Sequence, residues 1–411
     1  MNYKKYYIHK ILISKNKHYY PLLRNGLSRQ DLNKGIEVLK SGRITMGEKT
    51  SLFEKKFAKK LKVKYALMVN SGSSANLLAT FASCNPLRKN RFKKGDIAII
   101  QSLCWSTSLW PLVQAGLKIK FVDIEPKTLN VNAKYLISKI TKKTKVIMLV
   151  NVLGLSADII KIRKFCSKKK IILIEDNCES LGTKYKNKFL GSFGDFGTFS
   201  FYYSHQITCG EGGMVVCKNK KDYEILKSLR SHGWSRDKEV SIKFPHLDPR
   251  YIFLNSGFNL RPMDVQAAIA HSQFKRLEQF KQIRSNNRKK IIYILKKDSK
   301  WKNQFSFIET PKEIEPSFMV FPILLNHKYR NKKKQFINHI EAKGLETRPV
   351  ISGSFTNQPS AKLYKLNKEK KKFKGSDYIQ NFGFVIGLHH GKISKKELLF
   401  IKKTLFSIDK I

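Results

Sequence analysis

Seven short apolar runs alternate with helical stretches between residues 65 and 217, and this alternation constrains the fold more than any other feature. The runs are Tyr65–Val69, Ile97–Ile100, Ile119–Val122, Val146–Val150, Ile171–Ile174, Thr198–Tyr202 and Met214–Cys217. Several are apolar at successive positions, which is typical of strands buried on both faces. We therefore predict an α/β domain of three layers, α/β/α, with a mostly parallel sheet. Ligands of such sheets bind beyond the carboxyl ends of the strands.

Helical and mixed segments flank this region. Two helices are predicted before it, over 28–42 and around 53–61, from two apolar repeats: Leu32, Ile36 and Leu39, then Phe53, Phe57 and Leu61. After it, the predicted elements are a helix from Asp264 to about Leu295, strands around Phe318–Leu325 and Glu346–Val350, a solvated loop over Lys365–Lys374 and a helix over about Lys395–Leu405. We therefore predict two domains: residues 1–264 form the N-terminal segment and a large domain, and residues 265–411 form a small C-terminal α+β domain.

Composition indicates a globular protein of the cytoplasm. Apolar residues are 41% of the 411 residues, enough for a large core. No run approaches the ~20 consecutive apolar residues of a membrane helix. The first ten residues carry charge without a sustained apolar segment, so we expect neither a signal peptide nor an anchor. The six cysteines show no paired CxxC spacing, which favours reduced, buried thiols and no metal site.

The formal net charge of +51 is extreme. One interpretation is a polyanionic partner such as nucleic acid. The other is a general drift of composition toward lysine, asparagine, isoleucine, phenylalanine and tyrosine. Because the lysines are spread along the whole chain and the aromatic residues do not alternate with them as a base-stacking surface requires, we favour drift and do not expect a nucleic-acid partner.

A turn of small residues, Asn70–Asn76 (Asn-Ser-Gly-Ser-Ser-Ala-Asn), follows the first apolar run and opens a helix. Free N–H groups and the positive end of the helix dipole at such a turn suit a phosphate. The hydroxyls of Ser73 and Ser74 can add donors, and the alternative is an ordinary N-cap serine. Asp176 stands just past the end of another apolar run, where the alternative is an acidic cap of the strand.

The loop Phe199–Gly213 (Phe-Ser-Phe-Tyr-Tyr-Ser-His-Gln-Ile-Thr-Cys-Gly-Glu-Gly-Gly) resembles the cofactor loop of the DegT/DnrJ/EryC1/StrS family, the pyridoxal-phosphate (PLP) sugar aminotransferases. The resemblance extends from Ser41–Gly47 to the Gly-Leu-His-His-Gly segment that ends at residue 391. It implies an aspartate-aminotransferase-like fold, fold type I of PLP enzymes. It also implies PLP or pyridoxamine phosphate (PMP) as the cofactor.

The resemblance implies roles for individual residues. Asp176 would pair with the pyridine nitrogen and keep it protonated, and Glu179 would bond the ring hydroxyl. Trp105 would lie on the cofactor ring, where the alternative is a core tryptophan. Ser200, like Ser73 and Ser74, would bind the phosphate.

Three further residues match positions near the substrate or the partner subunit. Asn259, in Gly-Phe-Asn-Leu-Arg, would reach the partner's cofactor phosphate, which implies an obligate homodimer with shared active sites; a simple glycine turn before a helix cap is the alternative. Arg348 would hold a substrate carboxylate bidentately, unless it only forms a surface ion pair. His232 would reach the substrate.

His205 stands where most members of the family have a lysine, five residues before Gly-Glu-Gly-Gly. A lysine amine bonds covalently to the cofactor aldehyde, and an imidazole cannot, so the cofactor would be held non-covalently. Members that lack the lysine are 3-dehydratases of nucleotide-linked 4-keto-6-deoxy sugars. One kind carries an iron–sulfur cluster on cysteines downstream of the histidine, but residues 218–250 contain no cysteine.

The implied function is therefore a lyase that needs the coenzyme alone. It would remove the carbon-3 hydroxyl of GDP-4-keto-6-deoxymannose, or a similar nucleotide sugar, to give a 3,6-dideoxy sugar for surface polysaccharide. His205 would act as the base, because an imidazole pKa near ~6.5 suits proton transfer, and glutamate would be the amino donor. The alternatives are a CDP-4-keto-6-deoxyglucose dehydrase-like enzyme with an external reductant and a non-catalytic homologue that binds a nucleotide sugar.

Overall fold

The computed structural model describes residues 18–24, 26–235, 238–367 and 372–411. The expectation about a signal peptide or anchor in the first ten residues lies outside the described residues. In the part of the chain that is described, no helix is long and apolar enough to cross a membrane.

A seven-stranded sheet forms the centre of the molecule. Its strands are β1 (Tyr65–Val69), β2 (Ile97–Gln101), β3 (Lys118–Val122), β4 (Thr144–Val150), β5 (Ile172–Asp176), β6 (Phe196–Ser200) and β7 (Gly213–Cys217). The order is β1-β7-β6-β5-β4-β2-β3, and β7 pairs antiparallel with both of its neighbours. The other neighbouring pairs are parallel. The runs of consecutive apolar residues form these strands because both faces of the sheet are covered by helices, which confirms the predicted α/β fold class.

Helices cover this sheet and continue beyond it. Those up to residue 274 are α1 (Arg29–Lys40), α2 (Glu48–Leu61), α3 (Gly72–Cys84), α4 (Ser106–Gln114), α5 (Ala133–Ser138), α6 (Ile159–Lys169), α7 (Lys220–Arg230), α8 (Lys238–Lys243) and α9 (Asp264–Phe274). The remaining helices are α10 (Leu277–Lys296), α11 (Lys333–Ala342), α12 (Pro359–Leu363), α13 (Lys374–Phe382) and α14 (Lys395–Leu405).

A second, smaller sheet lies in the C-terminal part of the chain. Its strands are β8 (Phe305–Phe307), β9 (Val320–Leu325), β10 (Thr347–Arg348) and β11 (Gly383–Gly387), in the antiparallel order β8-β9-β11-β10. Two further small sheets are present. In one, Lys184–Tyr185 pairs with both Lys188–Phe189 and Ile314–Glu315, and in the other, Trp234–Ser235 pairs with Ile252–Phe253. Short 3-10 helices cover Val152–Gly154, His327–Lys332, Phe355–Asn357 and Phe406–Lys410.

The predicted single helix from Asp264 to about Leu295 is wrong, because the chain breaks between α9 and α10. Arg276 leaves helical geometry with φ −102° and ψ 7°. Phe274 and Leu277 on the two sides of the break are both buried in one apolar cluster, so the apolar pattern runs through the break and hides it from the sequence. The predicted loop over 365–374 lies partly outside the described residues, and α13 already begins at Lys374.

Asp264, the first residue of α9, is a buried carboxylate that caps another helix. It accepts hydrogen bonds from the main-chain N–H groups of Gly47, Lys49 and Thr50 at the start of α2, at 2.9 to 3.1 Å. The residues that cap a helix in this way satisfy donors that have no partner inside the helix. Helix α9 therefore packs with α1 and α2, and the domain boundary at 264/265 stays a prediction.

The apolar face of α1 points away from the rest of the chain. Leu32, Ile36 and Leu39 are 46%, 45% and 56% exposed. The buried face carries Gly35, where an added Cβ would lie 3.0 Å from the side chain of Ile269, so the two helices approach closely. A stripe of large apolar side chains in solvent is unusual for a monomer and is typical of an interface.

Candidate active site

One pocket of about 690 Å³ lies at the carboxyl edge of the parallel strands. The segments that follow β1, β2, β5 and β6 all reach this edge, because parallel strands end on the same side of a sheet. Its lining includes Gly72, Ser73, Trp105, Asp176, Glu179, Ser200, His205 and Arg348, which brings together most of the residues that the sequence singled out. Strands β9 and β11 of the small sheet close the opposite wall through Val320 and Val385.

The start of helix α3 forms the serine-rich end of the pocket. Ser71 is the N-cap: its hydroxyl accepts from the N–H of Ser74 at 3.0 Å and donates to the Ser74 hydroxyl at 2.9 Å. The ordinary N-cap role thus belongs to Ser71. The hydroxyl of Ser73 donates to Thr107 at 3.0 Å, while Ser74 is not among the residues that line the pocket.

Gly72 lets the β6 loop come close to this helix start. An added Cβ at Gly72 would lie 2.4 Å from the Cβ of Ser200 and 3.0 Å from the sulfur of Cys178. Ser200 itself accepts a hydrogen bond from the N–H of Tyr202 at 3.2 Å. Two serine-bearing segments therefore meet at the positive end of a helix dipole, an arrangement that suits a phosphate.

Asp176, at the end of β5, is held by a fixed set of donors. Its Oδ2 accepts from the amide of Asn76 at 2.8 Å and from the hydroxyl of Ser108 at 2.7 Å. Its Oδ1 accepts from the N–H of Cys178 at 3.0 Å. The side chain of Asn76 is fixed in turn by Thr198, whose hydroxyl donates to it at 2.6 Å. The carboxylate is buried yet lines the pocket, so it can face a cationic group on a ligand.

Glu179 lies three residues after Asp176, and its carboxyl accepts fewer hydrogen bonds. Its Oε2 accepts one hydrogen bond, from the N–H of Leu153 at 3.1 Å. Leu153 is in the left-handed region with φ 48°, which aims that N–H at the carboxyl. Burial, together with the charge of Asp176, raises the pKa of Glu179 to about 7. At neutral pH this carboxyl is therefore available in both its protonated and its ionised form.

His205 lines the pocket on the loop after β6. Burial is the main reason why the pKa of His205 falls to about 4, and the positive charge of Arg284 acts in the same direction. The main chain of Ser200 and the charge of Asp176 oppose the shift. Nδ1 is buried and has no hydrogen bond of good geometry to any described residue. The imidazole is thus neutral at physiological pH and free to accept a proton.

Trp105 is 56% exposed, which removes the alternative of a core tryptophan. It lines the pocket at the start of α4, and no described ring stacks on it. An exposed indole at the wall of a pocket offers a face for a flat ligand.

Arg348 lies on the side of the pocket formed by the small sheet, and it forms an ion pair with Glu346. Its Nη2 lies 2.8 Å from Oε1 of Glu346, and its side chain is 59% exposed. Glu346 is held by the N–H of Leu22 through its other oxygen, at 2.9 Å. Arg348 therefore forms the surface ion pair that the sequence left open as an alternative, with Glu346 as its partner. Arg348 also lines the mouth of the pocket.

His232 and Asn259 do not line the pocket of their own chain. Both are exposed, and they lie side by side on two loops: Ser231 and Asn259 form an isolated antiparallel bridge. His232 has φ 64° and donates its N–H to the carbonyl of Phe258 at 2.7 Å. The roles predicted for these two residues require a second copy of the chain or a substrate that extends beyond the pocket.

The residues present fit a pyridoxal or pyridoxamine phosphate. The helix start with its serines suits the phosphate, Asp176 suits a protonated ring nitrogen, and the exposed face of Trp105 suits the ring. His205 lines the same pocket, and its Nδ1 makes no hydrogen bond to any described residue. Among the described residues, no group of three or more histidine, cysteine, aspartate or glutamate side chains is placed to hold a metal ion.

A mostly parallel seven-stranded sheet, with this pocket at the carboxyl ends of its strands and a small antiparallel sheet as its far wall, defines a fold type I PLP-enzyme architecture. The chain belongs to the DegT/DnrJ/EryC1/StrS aminotransferase family, whose model matches residues 27–397. The family resemblance inferred from the sequence is confirmed.

Within this family, the chain is similar to relatives that are named 3-dehydratases. The chain is 35% identical over 377 residues to the GDP-4-keto-6-deoxy-D-mannose 3-dehydratase of Escherichia coli O55:H7, covering 90% of this chain and 95% of the relative. A solved structure of the E. coli enzyme with bound hydrated PLP is 32% identical, with a TM-score of 0.85, and covers 95% of this chain and 100% of that one. A structure of a GDP-4-keto-6-deoxymannose-3-dehydratase with a trapped PLP–glutamate geminal diamine has a TM-score of 0.83 at 32% identity, covering 94% and 100%.

Several residues of the pocket were not predicted as functional. Asn76 and Ser108 fix Asp176, and both lie within motifs already recognised, so their place after β1 and β2 could have indicated them. Gln206 and Arg284 hold the His205 loop. No pattern in the sequence distinguishes Arg284 from the other basic residues of α10.

Proposed function

We propose that this protein is a PLP/PMP-dependent 3-dehydratase that removes the carbon-3 hydroxyl of a nucleotide-linked 4-keto-6-deoxyhexose, GDP-4-keto-6-deoxymannose being the best match. The observation that carries the proposal is an imidazole on the pocket lining at position 205, where an aminotransferase of this family has its lysine. The relatives described above are GDP-4-keto-6-deoxy-D-mannose 3-dehydratases, which supports the choice of sugar and nucleotide.

The cofactor would be held without a covalent bond. Ser73, Ser200 and the start of α3 would bind its phosphate, Asp176 its ring nitrogen, and Trp105 the face of its ring. When bound, it would supply an amine that condenses with the sugar ketone and a ring that takes up electrons. Glu179, with a pKa of about 7, would face the ring hydroxyl as either donor or acceptor.

His205 would move the proton. Its pKa, lowered to about 4, keeps the imidazole in the neutral form that can accept a proton from carbon, but makes it a weaker base than the ordinary imidazole expected from the sequence. The resulting imidazolium, in a pocket that disfavours its charge, readily returns the proton to the hydroxyl that leaves carbon 3. One neutral group can thus serve as base and then as acid.

Glutamate would restore the amine. In the overall reaction the sugar exchanges a C–O bond for a C–H bond, and glutamate is oxidised to 2-oxoglutarate with release of ammonia, so atoms and electrons balance without another reductant. Arg348, at the pocket mouth, would exchange its contact with Glu346 for the carboxylate of glutamate. The trapped glutamate adduct in the related structure supports this donor.

The active protein would be a homodimer in the cytoplasm. The exposed stripe Leu32, Ile36 and Leu39 offers an apolar surface for a second copy. Asn259 and His232 are exposed near one another and would reach the partner's pocket. The free, mostly buried cysteines fit a reducing compartment. We also propose that residues 1–264 and 265–411 act as the large and small domains.

Substitutions of His205 test the proposal. His205→Asn should bind PLP and nucleotide sugar like the wild type but lose turnover. His205→Lys should form a covalent, borohydride-reducible link to PLP, visible as a mass increase, and should lose deoxygenation. Full deoxygenating activity in His205→Asn would show that another group is the base.

Mixed dimers test the shared site. His205→Asn and Asn259→Ala would each be inactive alone. After the two are unfolded and refolded together, one site of each heterodimer would carry neither defect, so activity should return to a fraction of the wild-type value. A lack of recovery, with heterodimers demonstrated by native mass spectrometry, would place Asn259 in its own subunit's site or outside any site.

A further inference from the structure

Arg284 is a fully enclosed cation that the chemistry described above does not use. It lies in the first half of α10, and only 2% of its surface is exposed. Burial alone lowers the pKa of its guanidinium to about 10, so it is still charged at neutral pH, and none of the described carboxylates contributes to that shift. A buried charge without a counter-ion costs several kcal/mol of stability unless hydrogen bonds compensate it. A residue retained at such a cost is a candidate for a specific task.

The donors of this guanidinium are directed at two loops. Nη1 donates to the carbonyl of Gln206 at 3.0 Å, and Nη2 lies 3.4 Å from the carbonyl of His205. Nε donates to the carbonyl of Leu388, just past strand β11, at 3.0 Å. The planar fork therefore binds the main chain of the reactive loop and the end of the small sheet at the same time.

Neighbouring hydrogen bonds also fix helix α10 to the segment after β11, and the His205 loop to the segment before β9. Asn287, one turn along α10, donates to the carbonyls of His389 and Gly391 at 3.0 and 2.7 Å and accepts from the N–H of Ile393 at 3.1 Å. On the other side, the amide of Gln206 donates to the carbonyl of Ser317 at 3.0 Å. The peptide that carries the His205 side chain thus has little freedom to turn away from the pocket.

The charges around His205 come from several elements. Among the described residues, the pocket lining around His205 carries the titratable side chains of Asp176, Cys178 and Glu179 after β5, Tyr202 and Glu211 of its own loop, and Arg348 of β10. Arg284 of α10 contacts the main chain of this loop. Of the two cations, Arg348 is exposed and already paired with Glu346, so solvent and its partner weaken its field. Arg284 is the enclosed one.

We propose that Arg284 is a positioning residue: its guanidinium holds the main chain of His205 and Gln206 so that the imidazole faces the pocket. This inference rests on the proposed role of His205 as the base. Burial of the ring and the charge of Arg284 both favour the neutral imidazole, which agrees with the low pKa of His205. A small misplacement of such a group lowers turnover strongly, by about 100-fold for 1 Å.

The same helix offers a matched control. Arg288 lies one turn after Arg284, and burial also lowers the pKa of its guanidinium to about 10. It donates to the carbonyl of Ile308 at 2.6 Å and lies over the ring of Phe318, whereas Arg284 donates to carbonyls of the His205 loop. Arg288→Gln therefore removes a comparable cation without touching the loop.

The test compares Arg284→Gln, Arg284→Lys and Arg288→Gln. The pKa of His205 is followed by NMR in cofactor-free protein labelled at the histidine Cε1, and its signal is assigned by its loss in His205→Asn. We expect Arg284→Gln to raise the pKa of His205 only in part, because burial of the ring, the larger cause of its low pKa, remains. Arg284→Lys, which keeps the charge but not the fork, should leave that pKa low. Both should lower kcat by about 100-fold, and Arg288→Gln should change neither quantity.

Each outcome decides the proposal. It is overturned if His205 titrates in Arg284→Gln as in the wild type with kcat retained, or if Arg288→Gln produces the same losses. If Arg284→Gln does not fold, a folded Arg284→Lys protein with wild-type kcat overturns it, and one with low kcat and an unchanged His205 pKa supports it. If the wild-type protein does not deoxygenate any nucleotide sugar, the proposed function fails, whereas the NMR titration still reports on Arg284.

Discussion

Replacing Glu179 by glutamine should stabilise the cofactor-free protein, and more so as the pH rises. Glutamine has nearly the same shape and keeps an oxygen for the N–H of Leu153, which donates to Glu179 at 3.1 Å. What it removes is an ionisation that the pocket disfavours. Burial, with the charge of Asp176, raises the pKa of Glu179 from its usual 4.5 to about 7.

The magnitude follows from this difference. A tenfold change in proton affinity corresponds to about 1.4 kcal/mol, so the ionised form of Glu179 destabilises the native state by roughly 3 kcal/mol. This is an upper limit, because the carboxyl also lines a pocket that solvent can enter. Between pH 4.5 and 7 the native state binds more protons at this site than the unfolded state does. The free energy of unfolding is therefore highest, as far as Glu179 affects it, below pH 4.5, where this carboxyl is protonated in both states. It falls as the pH rises through 7 and the carboxyl ionises in the native state.

The assay is urea-induced unfolding of wild type and Glu179→Gln at a fixed protein concentration, at several pH values between 5 and 8.5. The variant should gain little at the acid end and up to roughly 3 kcal/mol at the alkaline end. Glu211→Gln is the control, because Glu211 is an exposed carboxylate of the same pocket. A difference between Glu179→Gln and wild type that does not change with pH would refute the reasoning.

Three further substitutions give separate expectations. Trp105→Ala should leave the stability of the cofactor-free protein nearly unchanged, because the side chain is 56% exposed. It should weaken PLP binding by about tenfold in a fluorescence titration. Equal affinities of variant and wild type would show that the indole ring does not contact the cofactor. Asp176→Asn should lower kcat by at least about 100-fold and weaken PLP binding, since the amide cannot stabilise a protonated pyridine nitrogen; wild-type turnover would contradict that contact. Gly72→Ala should destabilise the fold by about 1–3 kcal/mol in urea, because its Cβ would lie 2.4 Å from Ser200, whereas Gly391→Ala, with open space around it, should not; equal effects would show that the loops can move apart.

The large sheet could be predicted from the sequence because each of its strands is marked by its own run of apolar residues. A strand buried on both faces needs consecutive apolar residues, and each of the seven runs became a strand of one sheet. The parallel direction then placed the ends of these strands, and with them Ser73, Asp176 and Ser200, at one edge. His205 was identifiable because it interrupts a recognisable loop.

Other features depend on partners far away in the chain. The break before α10 was missed because Phe274 and Leu277 continue the apolar pattern across it. The apolar repeat of α1 was correctly predicted as helical, but nothing in that repeat indicates that Leu32 and Ile36 face outward. Arg284 is one of many basic residues on a helix rich in lysine and arginine, and only its contacts with distant carbonyls distinguish it.

The most direct test of the central claim is the mass of the reaction product. Purified protein is incubated with PLP, glutamate and GDP-4-keto-6-deoxymannose, with other 4-keto-6-deoxy nucleotide sugars in parallel. The account predicts a product that has lost one oxygen atom and gained no nitrogen, formed with one 2-oxoglutarate and one ammonia per turnover. A product that keeps its oxygen and gains an amino group would show that the protein is an aminotransferase despite His205 and would contradict the account.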